Sequence, residues 1–185
     1  MTNKELWRLF NLQLLKNICL EKKQAWSNVI NQKFISWLTI HSNLKKIGLY
    51  MSLKSEVNTK SLIAYLLKNH YEVYLPVITN VVKNEMQFSK IINLDYAANI
   101  IKGIKQPISH DWINPRQLQV IVMPVTAFNS NKDRIGKGYG YYDQYLKKTN
   151  AIKVGFAFAI TKCFNFQVEV NDVPLDLIMT ESEII

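Results

Sequence analysis

Cysteine, histidine and glycine are scarce in this chain of 185 residues, with two, three and six copies respectively, and acidic side chains are outnumbered 14 to 23 by basic ones. Cys19 and Cys163 lie far apart and form no CxxC pair. A disulfide framework and a thiolate zinc site are therefore excluded, and both are read as reduced packing residues. His41, His70 and His110 show neither metal-ligand spacing nor a partner nucleophile, and each is read as a surface or helix-end residue. No serine or cysteine nucleophile constellation is present. The apolar run "VIVMPVTAF" falls far short of the ~20 residues of a membrane span. "MTNKELWRLF" interleaves Lys4, Glu5 and Arg8 with apolar residues, unlike the continuous apolar segment of a secretory signal, so the cytoplasm is the expected compartment.

The shortage of acids leaves a net charge of +9. Three readings fit that excess: a nucleic-acid surface, an anionic small substrate, or a general bias toward Lys, Asn and Ile. The lysines are scattered, and pairs such as Lys147–Lys148 never grow into a basic block, so no nucleic-acid partner is expected. A hydrophobic content of 48% in 185 residues predicts one folded domain over 1–185 with a real core.

What is there is ordered. "TNKE" (2–5) is a capping box that opens a helix expected to run to about Lys22, with Leu6, Leu9, Phe10 and Leu14 at helical spacing. Lys4 and Arg8 share one face of it, which read alone is a solvated face. A second helix is expected over 23–41, with Trp26, Val29, Ile30 and Trp37 as its apolar stripe. "KIGLYMS" (46–52) reads as a buried strand. Asn58 or Thr59 then caps a helix that turns Leu62, Ile63, Leu66 and Leu67 inward, and "EVYLPVI" (72–78) is the next strand. Strand, helix, strand implies parallel pairing and an α/β sheet. "NEMQFSKI" (84–91) alternates like a hairpin strand. The stretch 93–118 reads as irregular and able to cover a site. Strands are expected at 119–124, 153–158 and 175–180.

Half of the six glycines fall in five residues of "NKDRIGKGYGYYDQYLKK", after a strand and before a helix. Ligands of open α/β sheets bind there, outside the carboxyl ends of the strands. Gly136, Gly138 and Gly140 permit close backbone approach to an anion, and Arg134 and Lys137 add positive charge. Tyr139, Tyr141 and Tyr142 offer flat faces and hydroxyls. The stretch is neither GxxxxGK[ST] nor GxGxxG, since residue 141 is tyrosine. Asp143 either complements the helix dipole or holds Mg²⁺ beside a phosphate. Asp176 is a candidate second carboxylate, and Glu56 a candidate acceptor for the N–H groups of a heterocycle.

"AFNSNKDRIGKGYGYYDQYL" resembles the signature of the 5-formyltetrahydrofolate cyclo-ligase (5,10-methenyltetrahydrofolate synthetase) family. The resemblance extends in order to Lys4 and Arg8, "LYMSLKSEVNT", "VYLP", "QFSK", "VIVMPVTAF" and "LDLIMTE", nearly the whole chain. It implies a three-layer α/β/α fold around a mostly parallel sheet with Rossmann-like topology. It implies an enzyme that uses ATP and Mg²⁺ to close 5-formyltetrahydrofolate, with or without a polyglutamate tail, to 5,10-methenyltetrahydrofolate through a phosphorylated formyl group. On that resemblance Lys4, Arg8 and the run Arg134, Ile135, Gly136, Lys137, Gly138, Tyr139, Gly140, Tyr141 and Tyr142 contact ATP. Met51, Glu56 and residues Lys137 to Tyr141 line the folate, with Glu56, Arg134, Lys137 and Tyr141 catalytic. Asp143 and Asp176 bind the metal. A monomer is expected. Tyr139, Gln144 and Asn129 depart from the family's usual Gly or Lys, Arg and Asp. A folate- or nucleotide-sequestering module without turnover is the alternative.

Overall fold

Thr2 opens the first helix as the capping box predicts. Its hydroxyl accepts from the Glu5 N–H, and the Glu5 carboxylate accepts from the Thr2 N–H at 2.8 Å. The computed structural model describes residues 2–96, 98–101, 103–108, 110–164 and 166–185. Helix α1 (Asn3–Lys16) stops short of the expected Lys22, and α2 (Leu20–Ile40) starts earlier than expected. Of the apolar residues at helical spacing on α1, Leu14 is half-buried and the other three face out. Leu6, Leu9 and Phe10 are 56%, 55% and 59% exposed, whereas Lys4, Asn11 and Leu15 are buried. On α2, Ile30 is buried as expected and Trp26 and Trp37 pack on the core, but Val29 faces out and Phe34 and Leu38 complete the stripe.

The strand β1 (Lys46–Gly48) is shorter than the expected 46–52. The Leu49 N–H still bonds the Tyr74 carbonyl, and the chain then leaves the sheet with Tyr50 and Met51 buried. Helix α3 (Lys60–Lys68) is opened by both candidate caps in different ways: Asn58 Oδ1 accepts from the Lys60 N–H, and the Thr59 hydroxyl donates to the Tyr50 carbonyl at 2.6 Å. β2 (Glu72–Asn80) and β3 (Glu85–Ile91) form the expected hairpin. The stretch read as irregular contains a second hairpin, β4 (Ala98–Ile101) and β5 (Ile104–Pro107). Then come β6 (Val120–Pro124), a short ribbon of β7 (Ala127–Phe128) and β8 (Arg134–Ile135), α4 (Tyr141–Leu146), β9 (Ile152–Phe156) and β10 (Leu177–Met179).

The main sheet has the order β10-β9-β6-β1-β2-β3, parallel throughout except for β3. Alternation along β6 fills both faces: Val120 and Val122 join the core under α2 and α3, and Ile121 and Met123 join the core under α4. Covering both faces is what lets the strand read as a continuous apolar run. The α/β class with a mostly parallel sheet is therefore as expected. The chain turns one way after β1 and the other way after β6, so a topological switch point lies between these neighbouring strands.

Candidate active site

The loops leaving β1 and β6 meet over that switch point, and a cavity of about 390 Å³ lies between them. The β1 loop is tied down by its own side chains. The Tyr50 hydroxyl donates to the Val57 carbonyl at 3.0 Å, and the Leu53 N–H donates to Glu56 Oε2 at 2.7 Å. This leaves Glu56 Oε1 to pair with Lys137 Nζ at 2.9 Å. The β6 loop is tied by Asn129, whose Oδ1 accepts from the Asn131 and Asp133 N–H groups and whose amide donates to Asp133. Asn129 organises this turn through both ends of its amide.

Arg134 then locks three segments together. It donates to the Val173 carbonyl at 2.6 Å and to Asp143 Oδ1 at 2.8 Å, and Asp143 also accepts from the Val173 N–H at 3.3 Å. The glycine loop follows, with Gly138 and Gly140 at φ +91° and +72°, a left-handed geometry that side chains rarely adopt. Gly140 is the cap from which α4 begins. The inward face of α1 closes the loop from below. Arg8 Nε donates to the Gly136 carbonyl at 2.8 Å, and its guanidinium carbon lies 3.2 Å from where a Cβ on Gly138 would stand. Lys4 bonds Asp172 and approaches Glu169 at 3.4 Å. The face read alone as solvated is thus the face that meets the site. α1 packs on the β7–β8 ribbon, with Trp7 against Ala127 and Ile135, and its cations reach past the ribbon to the Gly136 carbonyl and Asp172.

Cations and carboxylates alternate around the cavity: Lys4 with Asp172, Arg134 with Asp143, Lys137 with Glu56. Burial, and then the negative charge of Glu56, push the Tyr50 and Tyr142 hydroxyls well above the ordinary tyrosine range; Arg134 opposes the rise at Tyr142. Both remain phenols at neutral pH and serve as donors or as apolar wall.

Lys4, Arg8, Met51, Glu56 and every residue from Arg134 to Asp143 line this one cavity. Asp176 does not join them. It is exposed before β10, pairs with Lys153 at 2.9 Å and accepts from the Lys153 backbone N–H at 2.8 Å. The acidic side chains brought to the cavity from that segment are Glu169 and Asp172, seven and four residues earlier, and Asp172 is the less exposed of the two. Sequence reasoning passed over it because an aspartate in "VNDVPLD" carries no sign of which one faces inward. Tyr50, Thr126, Ile78, Met86, Ile104 and Gln106 also line the cavity unannounced, since long-range strand pairing is what brings them there.

The class defined by this fold and site is a doubly wound α/β protein with a cationic glycine loop at its switch point. The profile of the 5-formyltetrahydrofolate cyclo-ligase family matches residues 1–181. A 5-formyltetrahydrofolate cyclo-ligase of Mycoplasma pneumoniae is 30% identical over 179 residues, covering 90% of this chain and 96% of the relative. One of Haemophilus influenzae is 32% identical over 136 residues, covering 71% and 73%. Among solved structures, the 5,10-methenyltetrahydrofolate synthetase of Aquifex aeolicus superposes with a TM-score of 0.86 at 28% identity, over 98% of this chain and 91% of that one. That of Mycoplasma pneumoniae gives 0.80 at 26% identity, over 96% and 98%. The chain therefore belongs to the 5-formyltetrahydrofolate cyclo-ligase family and is an enzyme.

Proposed function

We propose that the protein uses ATP to cyclise 5-formyltetrahydrofolate to 5,10-methenyltetrahydrofolate, releasing ADP and phosphate. The observation that carries this reading is one cavity with two kinds of lining. A cationic glycine loop faces an apolar wall of Pro76, Ile78, Met86 and Ile104, with Glu56 and Lys137 paired across the cavity. A triphosphate suits the first and a flat heterocycle the second.

The chemistry explains the need for both. An amide oxygen leaves poorly until it is phosphorylated. In the proposed sequence the formyl oxygen attacks the γ-phosphorus and forms a new O–P bond, while the bond to the β-phosphate oxygen breaks and ADP leaves. Nitrogen 10 adds to the resulting iminium carbon and loses its proton, and the phosphate departs with its bonding pair, leaving the methenyl bridge. No protein nucleophile is required, so catalysis rests on placement and charge. Lys4, Arg8, Arg134 and the loop through Tyr142 are assigned to the phosphates. Glu56 is assigned to the heterocycle's N–H groups, with Met51 and Tyr141 against the ring, and Lys137 to the charge that develops between the substrates.

The residues present fit Mg²⁺. Asp143 and Asp172 are hard oxygen donors on the cavity, linked through Val173, and their side chains are 27% and 21% exposed. Among the described residues no cluster of three or more acidic, His or Cys ligands occurs, which suits an ion completed by phosphate oxygens and water. When bound, it would neutralise phosphate charge. Asp172, rather than Asp176, is the partner proposed for Asp143.

The test is to mix the protein with Mg-ATP and 5-formyltetrahydrofolate and follow the near-ultraviolet band of the methenyl product. An ATP-dependent rise, absent without ATP, is expected. A flat trace from folded protein that still binds the folate would replace this reading with a sequestering module.

A further inference from the structure

Among the described residues of β2, β3 and β5 that line the cavity, Gln106 is the neutral polar one, at the inner position of β5. Alternation puts it on the same face as Ile104. Opposite stand Pro76 and Ile78, which share a face of β2, and Met86, which pairs directly with Ile78 on β3. Gln106 is 1% exposed, yet it lines the cavity. Its Oε1 accepts from the Ile78 N–H at 3.0 Å. A backbone N–H can be met only by an acceptor, so this bond fixes which way the amide points. Among the described residues the NH₂ group makes no hydrogen bond, and it is the end left for the cavity that Gln106 lines.

A donor that faces a cavity is satisfied there by water or by an acceptor on a ligand. The loop around Arg134 and Lys137 already offers cations and N–H groups for phosphate. A single neutral donor in an apolar wall is suited instead to an uncharged acceptor on a flat ring. We propose that Gln106 determines specificity for the folate by donating a hydrogen bond from its amide to a carbonyl oxygen on the substrate's heterocycle. Glu56 accepts from N–H groups of the same ring, so donor and acceptor together fix the ring's orientation. This rests on the cyclo-ligase reading.

Two variants separate the donor from the strut. Gln106→Glu keeps an acceptor for the Ile78 N–H and removes the donor. Gln106→Met removes both and adds no charge. The dissociation constant for 5-formyltetrahydrofolate is measured by calorimetry without ATP, with KM for ATP and the melting temperature alongside. Both variants are expected to bind the folate about tenfold more weakly, with KM for ATP within twofold of wild type. Folate affinity within twofold of wild type in either variant overturns the proposal: unchanged Gln106→Glu would leave only a strut, and unchanged Gln106→Met would leave only a charge effect. Wild-type turnover is run in parallel. Its absence counts against the cyclo-ligase reading, whereas turnover with unchanged variants counts against Gln106 alone; a wild type that does not bind the folate overturns both.

Discussion

At the scale of single residues, two aspartates four positions apart have opposite surroundings. Asp172 meets Lys4 at the cavity, and Asp176 pairs with Lys153 in solvent. Asp172→Asn is expected to raise the Mg²⁺ concentration needed for half-maximal turnover by about tenfold or more, the scale of losing one charged ligand contact. Asp176→Asn should leave that requirement unchanged and alter stability by no more than ~1 kcal/mol, as for other exposed pairs. A Mg²⁺ titration of the two variants checks both. Gly138 gives a second prediction. Its φ of +91° and the 3.2 Å approach of Arg8 leave no comfortable place for a methyl group. Gly138→Ala should cost about 1–2 kcal/mol of stability and raise KM for ATP more than KM for the folate, because the displaced Arg8 and glycine loop are assigned to the phosphates. Urea unfolding and paired kinetics would show it.

At the scale of elements, α1 shows how far a helical pattern can mislead. Leu6, Leu9 and Phe10 repeat at the spacing of a buried stripe, but they are exposed, and Lys4, Arg8 and Asn11 take the inward face. The pattern gave the presence of the helix and its cap, though not its end at Lys16, because start and cap depend on neighbours within four residues. It could not give the facing, which the ion pair to Asp172 and the bond to Gly136 decide. Leu9→Gln should therefore change unfolding free energy by less than ~0.5 kcal/mol, where a core leucine would cost ~2–5 kcal/mol on truncation to alanine. Chemical denaturation distinguishes the two.

For the whole molecule, the pH dependence of stability includes a contribution from the antiparallel edge of the sheet. Hydrogen bonds from Lys90 and the Tyr74 hydroxyl hold the Glu72 carboxyl below the ordinary glutamate range. Its folded pKa is thus lower than its unfolded value of about 4.3. The pair adds stability above that value and loses it as pH falls through the folded pKa. Both side chains are 35% exposed, so the contribution stays under ~1 kcal/mol and weakens with salt. Glu72→Gln should lower stability slightly at pH 7 and flatten the decline below about pH 4.3, as melting temperatures across pH would record.

The sequence by itself determined most of the elements, though not the β4–β5 hairpin or the β7–β8 ribbon, together with the parallel α/β class, the glycine loop with its flanking Arg134, Lys137 and Asp143, and the family signature. These follow from periodicity, capping and turn chemistry, which act within a few residues along the chain. Only the tertiary structure decided that α1 points its cations inward, that Asp172 and not Asp176 reaches the cavity, and that Gln106 faces it from a hairpin far from the motif. Each of these depends on contacts between segments distant in the chain: Lys4 with Asp172, Lys153 with Asp176, Ile78 with Gln106. A local pattern of apolar and polar residues contains no information about which distant partner will complete a buried charge or a strand-edge hydrogen bond.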